Sequence, residues 1–125
     1  MIYLTVEDLL RIADRVVDGD VLVHDVGLLD SAANRPRASA FGEDAYSTLE
    51  SKAAALVQSV ALNHALVDGN KRLALGSLIA FLGVNGRRLT MSNNAAYDFI
   101  IDIVTHRLED VPAIAAVIDA NTTNR

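Results

Sequence analysis

The chain has 125 residues, of which 51% are hydrophobic and only two are prolines, and its formal net charge at pH 7 is −5. A chain of this length can bury a hydrophobic core, so we expect one domain over residues 1–125, and its hydrophobic content excludes a disordered protein. The absence of cysteine excludes a disulfide framework, a Cys-ligated zinc site and a thiol nucleophile. The acidic balance argues against broad binding to nucleic acid, so we expect no direct DNA binding by the chain alone.

No membrane or export signal is visible. The first residues do not combine positive charge with a following apolar run, as a signal peptide would. The longest apolar run, residues 73–84, is too short to cross a bilayer whose hydrocarbon core is about 30 Å thick. We therefore expect a cytoplasmic protein without membrane contact.

Hydrophobic periodicity predicts helices in the first part of the chain. Thr5 and Asp8 resemble a capping box, and apolar residues follow them at helical spacing. A shorter helix is expected over residues 27–33 and should end before Pro36, since the residue before a proline is pushed out of the helical region. Residues 34–42 have no helical period and predict a surface loop or a small hairpin.

Four more helices are predicted in the rest of the chain. An amphipathic helix should begin at about Ser47 and carry His64 near the inner edge of its apolar stripe. The next helix, from about Asn70, is apolar on nearly every side, so we expect it in the middle of a bundle. Two further helices are expected over residues 92–107 and 110–120. The prediction is an all-α bundle of about six helices around a central apolar helix, with no strands outside the small hairpin.

Polar and titratable residues concentrate in one nine-residue segment between two apolar helices. Its members are His64, Asp68, Gly69, Asn70, Lys71 and Arg72. The amino end of a helix presents free backbone N–H groups and a positive dipole, which suit an anion. Gly69 lets the backbone turn closely beneath a phosphate, and Lys71 and Arg72 add positive charge. Asp68 can hold Mg²⁺, and His64, whose side-chain type titrates near neutral pH, can act as a general base.

Each of these residues also has a structural interpretation. Asp68 can be an N-cap and Gly69 a turn residue, and for these two alone the structural interpretation is favoured. Lys71 and Arg72 can belong to a solvated first turn, although cations there oppose the helix dipole. The convergence of six such residues within nine positions is what favours a site. A P-loop is excluded because Lys71 is followed by Arg rather than by Ser or Thr.

The pattern His-x-x-x-Asp-Gly-Asn-Lys-Arg, from His64 to Arg72, resembles the signature of the Doc (death-on-curing) branch of the Fic superfamily. Further segments resemble the same family, and they are residues 27–36, Phe41-Gly42, residues 52–56 and residues 72–75. The likeness therefore extends from about residue 4 to residue 86. It implies a six-helix Fic fold and the transfer of part of a nucleotide to a protein hydroxyl.

Lys71 decides which transfer the resemblance implies. Most Fic proteins carry Gly at this position and transfer AMP, whereas the Doc branch carries Lys and is described as phosphorylating a Thr of elongation factor Tu. A lysine in the anion pocket would change which phosphate can sit there, so that ATP bound the other way round presents its γ-phosphate. The resemblance thus implies a toxin that uses ATP and Mg²⁺ to halt translation, with AMP transfer as the alternative.

The same resemblance implies a role for each site residue. His64 would deprotonate the target hydroxyl, and Asp68 would bind Mg²⁺ and orient the nucleophile. Gly69, Asn70, Lys71 and Arg72 would bind the phosphates. Arg35 and Arg37 lie in a segment that resembles the family's flap, which positions the target, although an ordinary surface loop explains these two arginines equally well.

A partner and two departures complete the comparison with the family pattern. Doc-like toxins associate with a small antitoxin whose disordered tail folds against the toxin, and the antitoxin rather than the toxin touches DNA. A catalytically weak toxin that acts mainly as an antitoxin-binding co-repressor is therefore the alternative from a different class.

Leu66 stands where Phe is usual and should keep its packing role. Gly76 stands where many Doc proteins carry Asn, so the resemblance predicts an effect of this position on target choice or activity.

Overall fold

Six α-helices make up most of the computed structural model, which describes residues 1–125. They are α1 (Val6–Val16), α2 (Val26–Asn34), α3 (Leu49–Leu62), α4 (Asn70–Val84), α5 (Asn93–Val104) and α6 (Val111–Ala120). A short 3-10 turn over Arg35–Arg37 follows α2 directly. The predicted all-α class with about six helices is confirmed. None of the helices combines the length and the apolar character that a membrane span requires.

Side-chain caps determine where five of the six helices begin. In each, an oxygen of the N-cap side chain accepts a hydrogen bond from the backbone N–H three residues later, and these caps are Thr5, Asp25, Thr48, Ser92 and Asp110. The predicted capping box of Thr5 and Asp8 is present. A second box, Thr48 with Ser51, starts α3 slightly later than predicted. Only α4 lacks a side-chain cap, because its N-cap is Gly69.

Two small antiparallel sheets accompany the helices. Strands β1 (Ser39–Ala40) and β2 (Glu43–Asp44) form a hairpin, which confirms the hairpin alternative for the segment after Pro36. Strand β3 (Arg87–Leu89) pairs with β4 (Thr122–Asn124) near the end of the chain. The prediction of no strands outside the hairpin is therefore wrong. Strands of three residues whose partner is distant in the chain leave no alternation that a sequence pattern can detect.

The most completely buried helix is α3. Nine of its fourteen residues are buried, among them a run of three alanines, Ala53 to Ala55, that allows close approach of its neighbours. In α4 only six of fifteen residues are buried, and Ile79 is 50% exposed. The central place that hydrophobicity suggested for α4 thus belongs to α3, with α4 and α6 packed against it.

Candidate active site

A cleft of about 540 Å³ lies at the amino end of α4. Its lining includes every member of the predicted segment: His64, Asp68, Gly69, Asn70, Lys71 and Arg72. The other lining residues were not predicted, and they are Val17, Asp18, Ala61, Val67, Tyr97 and Val104. The carboxyl end of α1 and one face of α5 therefore complete a wall of which the sequence motif forms only part.

Backbone hydrogen bonds hold the loop between α3 and α4. The carbonyl oxygen of Ala65 accepts from the N–H groups of His24 at 2.7 Å and Asp25 at 3.0 Å. The N–H of Val67 donates to the carbonyl oxygen of Leu22 at 2.9 Å. Because these bonds join the loop to the segment that precedes α2, the cleft wall is braced from outside the motif.

Asn70 closes the same loop from within. Its side-chain oxygen accepts from the N–H of Leu66 at 3.0 Å, and its side-chain N–H₂ donates to the carbonyl oxygen of Leu66 at 2.9 Å. Leu66 is 2% exposed, so it does occupy the packing position that was expected of it. Oδ1 and one hydrogen of the side-chain N–H₂ are thus engaged, so Asn70 can offer a phosphate its backbone N–H and the second hydrogen of that N–H₂.

His64 lies outside α3, which ends at Leu62. The expectation of a helical His64 on the apolar stripe is wrong, because the chain leaves the helix before reaching it. Instead His64 has a left-handed backbone with φ of +53° and an exposed side chain at the cleft. Such a conformation costs a residue other than glycine about 1–3 kcal/mol, and the bonds that hold the surrounding loop maintain it.

The amino end of α4 has free hydrogen-bond donors. The first backbone N–H of this region to reach a helical acceptor is that of Leu73, which donates to the carbonyl oxygen of Gly69 at 2.9 Å. The N–H groups of Asn70, Lys71 and Arg72 therefore have no backbone acceptor, and all three residues line the cleft. Together with the helix dipole they make this end suitable for an anion.

Gly69 meets two geometric requirements. Its φ of +93° lies in the left-handed region, and a Cβ at this position would lie 2.5 Å from Cγ2 of Val17. The close neighbour that excludes a side chain is thus the end of α1. This contact is a second reason for glycine at position 69. The reason expected from the sequence was close approach of the backbone to a phosphate.

The two cations of the cleft differ in their partners. Nη1 of Arg72 lies 2.9 Å from Oδ2 of Asp18, and this hydrogen bond and the charge of Asp18 raise the pKa of Arg72 above its already high ordinary value. Lys71 is exposed and takes part in none of the ion pairs. An incoming anion therefore finds Lys71 free, whereas it shares Arg72 with Asp18.

Asp68 is the carboxylate next to the free N–H groups, and one of its oxygens accepts from the N–H of Gly69 at 2.9 Å. No group of three or more His, Cys, Asp or Glu side chains is arranged to hold a metal ion. Mg²⁺ usually binds through one or two carboxylates together with waters and the phosphates of a substrate. Asp68 therefore fits Mg²⁺ as a single ligand beside a bound phosphate, and not as part of a protein-only site.

Neither arginine of the expected flap lines the cleft. Nε of Arg35 donates to the hydroxyl of Tyr46 at 3.1 Å, and Nη1 donates to Oε1 of Gln58 at 2.7 Å. Arg35 thus fastens the base of the hairpin to α3. Arg37 is exposed, and its guanidinium carbon lies 4.8 Å from the centre of the Tyr3 ring. Target positioning by Arg37 stays a prediction.

Lys52 is a second anchor of the hairpin. It is 2% exposed, its Nζ lies 3.1 Å from Oδ2 of Asp44, and it donates to the carbonyl oxygen of Tyr46. In the sequence Lys52 fell outside the apolar stripe of its helix, so nothing indicated burial. The hairpin is thereby held to α3 by two cations.

Gly76 does not belong to the cleft. A Cβ there would lie 2.9 Å from Cγ2 of Ile12 and 3.2 Å from Cγ1 of Val16, so this glycine lets α1 pack closely on α4. The departure from the family pattern at Gly76 therefore alters the packing of α1 rather than the lining of the cleft.

Comparisons with known proteins identify a family. The family model described as Fic/DOC family matches residues 3–82, which include α1 to α3, the whole motif and most of α4. Toxin Doc of Mycolicibacterium smegmatis is 48% identical over 109 residues, which make up 87% of this chain and 76% of that relative. The match thus extends well beyond the nine-residue motif.

Proposed function

This chain belongs to the Fic/DOC family, and from that membership we propose that it is the toxin of a toxin–antitoxin pair. It acts in the cytoplasm by phosphorylating a Thr or Ser hydroxyl of a translation factor of the elongation factor Tu type, with ATP and Mg²⁺. The relative named Toxin Doc supports the toxin role. Members of the family transfer AMP or phosphate to proteins, so the choice between these reactions is the part that needs an argument.

The observation that favours phosphate transfer over AMP transfer is the position of Lys71 at the amino end of α4. It is an exposed cation without an acidic partner, and it lies beside three free backbone N–H groups. A lysine here takes room that a glycine would leave to a phosphate, and it adds charge that favours the most anionic end of ATP. This supports binding with the γ-phosphate towards His64.

In the proposed reaction His64 takes the proton of the target hydroxyl while its oxygen attacks the γ-phosphorus. The bond from the γ-phosphorus to the oxygen that bridges it to the β-phosphate breaks, and ADP leaves with the electron pair. Lys71 and the N–H groups of α4 stabilise the negative charge of the transferring group. Asp68 would hold Mg²⁺, which neutralises phosphate charge. Most of the rate enhancement then comes from positioning and charge stabilisation.

The test is incubation of the protein with purified elongation factor Tu, Mg²⁺ and ATP labelled in either the γ or the α position. We expect label from the γ position only. His64→Ala should lower the labelling rate by about 10²–10⁴-fold, the usual contribution of a general base. His24→Ala is the matched control, because His24 does not line the cleft and uses only its backbone to brace the loop.

Other outcomes would replace the proposal. Label from the α position would establish AMP transfer instead, and Lys71→Gly would then be expected to leave that label intact. No label from either position, with a whole cell extract offered as substrate in parallel, would favour a catalytically weak toxin that acts mainly by binding its antitoxin.

A further inference from the structure

The cleft has two chemically different halves. The segment at the amino end of α4 supplies the free N–H groups and the cations. The remaining lining is mostly apolar: it consists of Val17, Ala61, Val67, Tyr97 and Val104, together with Asp18, whose carboxylate is paired with Arg72. In this half Val67 is 65% exposed and Tyr97 is 57% exposed. A cleft that joins an anion site to an exposed apolar wall suits a ligand with a charged end and a flat, weakly polar end.

Tyr97 faces the cleft because of its position on α5. It lies seven residues before Val104, which is two helical turns, so the two side chains share one face. The buried residues Phe99, Ile100 and Ile103 face the hydrophobic core, and Tyr97 lies beyond the edge of that side. Tyr97 belongs neither to the hydrophobic core nor to the partly buried side chains packed on it. The ring is therefore available to a ligand, and the fold does not depend on it for packing.

We propose that Tyr97 is the platform on which the base of a purine nucleoside triphosphate stacks. The inference rests on the proposed nucleotide chemistry and adds which substrates the cleft accepts. The cleft volume of about 540 Å³ falls in the range usual for sites of small molecules and cofactors. Apart from the imidazole of His64, which the proposed reaction uses as a base, Tyr97 is the only aromatic side chain in the lining, and an aromatic face stacks with any nucleobase, more extensively with a two-ring one.

The composition of the apolar half also limits its selectivity. Its side chains offer the hydroxyl of Tyr97 and the carboxylate of Asp18, which is already engaged with Arg72, and no amide or cation that could recognise the edge of a base. Stacking on Tyr97 then favours a two-ring base over a one-ring base. No free side chain of this half distinguishes the hydrogen-bond donors and acceptors of one purine from those of another. We expect ATP and GTP to bind with similar affinity and both to bind more tightly than UTP.

The experiment is calorimetric titration of the full chain, in Mg²⁺, with ATP, GTP, UTP and inorganic triphosphate. Tyr97→Leu keeps an apolar side chain without the ring, and it should weaken ATP and GTP about tenfold. It should leave inorganic triphosphate unchanged, since that probe has no base. Tyr97→Phe keeps the ring and should retain the affinity for ATP. Lys71→Met is the converse control and should weaken ATP and inorganic triphosphate alike.

Two results would overturn the platform: unchanged ATP affinity in Tyr97→Leu, or an equal loss for inorganic triphosphate in that variant. The failure of the proposed reaction is a separate result. If the wild type binds ATP with the expected dependence on Tyr97 but labels no protein, the platform stands and the phosphorylation does not. If the wild type labels its target but Tyr97→Leu binds ATP as tightly as the wild type does, the phosphorylation stands and the platform does not.

Discussion

Two left-handed residues, His64 with φ of +53° and Gly69 with φ of +93°, turn the chain between α3 and α4. Glycine at position 64 would relieve the strain but would remove the imidazole from the cleft. The strained conformation thus falls on the residue that the proposed reaction uses as a base, as is common where backbone strain occurs at functional sites. At Gly69 no side chain is required, and none can be accommodated.

Gly69→Ala is expected to destabilise the protein by about 2–4 kcal/mol, because it adds left-handed strain and forces Val17 to move. Gly42→Ala is the matched control, since Gly42 has φ of +80° but a Cβ added there would have no neighbour within 4 Å. It should lose only about 1–2 kcal/mol. Urea unfolding measures both, and equal losses would show that the contact with Val17 does not matter.

The residue types at the site were predictable, but most of their partners were not. His64, Asp68 and Lys71 stand out by type and spacing against apolar surroundings. Asp18 and Tyr97 come from parts of the chain far from the motif, and no local pattern marks an exposed tyrosine as part of a cleft. Pairwise contacts between distant segments depend on the tertiary fold, which periodicity does not determine.

Among the elements, α1 has a start that is sensitive to pH. The carboxylate of Asp8 accepts from the backbone N–H of Thr5, and this bond lowers the pKa of Asp8 below its ordinary value of 3.8. A lowered pKa in the folded state means that this stabilisation is present above pH 4 and is lost as the pH falls through the folded value.

Asp8→Asn keeps an oxygen acceptor but removes the charge. We expect the wild type to be the more stable protein near pH 7, and the difference in the free energy of unfolding should disappear as the pH falls below about 4. Asp14→Asn, an exposed change on the same helix, controls for the loss of one negative charge. A difference that is constant from pH 7 to pH 3 would contradict this account of the cap.

The helices themselves were largely predictable, because caps and apolar periodicity are local. What failed was their ranking by burial: α4 is the more uniformly apolar helix, yet α3 is the more enclosed one. The two rankings differ because α4 has an exposed apolar side around Ile79. Apolar composition alone does not distinguish a buried side of a helix from an exposed apolar surface that can bind a partner. The pairing of β3 with β4 was invisible for the related reason that it links distant short segments.

Two concavities of similar volume lie on different parts of the molecule. Besides the cleft, an apolar groove of about 560 Å³ runs between α1 and α4, and the two share no lining residue. Ile2 is 57% exposed and Ile79 50% exposed in this groove, and Arg11 and Arg15 lie along it. We expect the proposed antitoxin to bind this apolar surface, which is edged by Arg15 and by the ion pair of Arg11 with Asp8.

Ile79→Asp is expected to lower the affinity for the proposed antitoxin at least tenfold, because it puts a charge in the apolar groove. Nucleotide binding in the cleft should be unchanged. Leu22→Asp, at a residue 58% exposed outside the groove, is the matched control. Titration calorimetry with the purified antitoxin measures both variants, and tight binding to Ile79→Asp would exclude the groove as the contact surface.

The two ends of the chain meet at the carboxyl end of α4. The backbone of Ile2 exchanges hydrogen bonds of 2.8 Å with the side chain of Asn85, while the N–H of Arg125 donates to the carbonyl oxygen of Gly86 at 3.0 Å. The cleft lies at the other end of this fifteen-residue helix, about 22 Å away at 1.5 Å per residue. A fluorophore or a surface tether attached at Ile2 or Arg125 would therefore leave the cleft accessible.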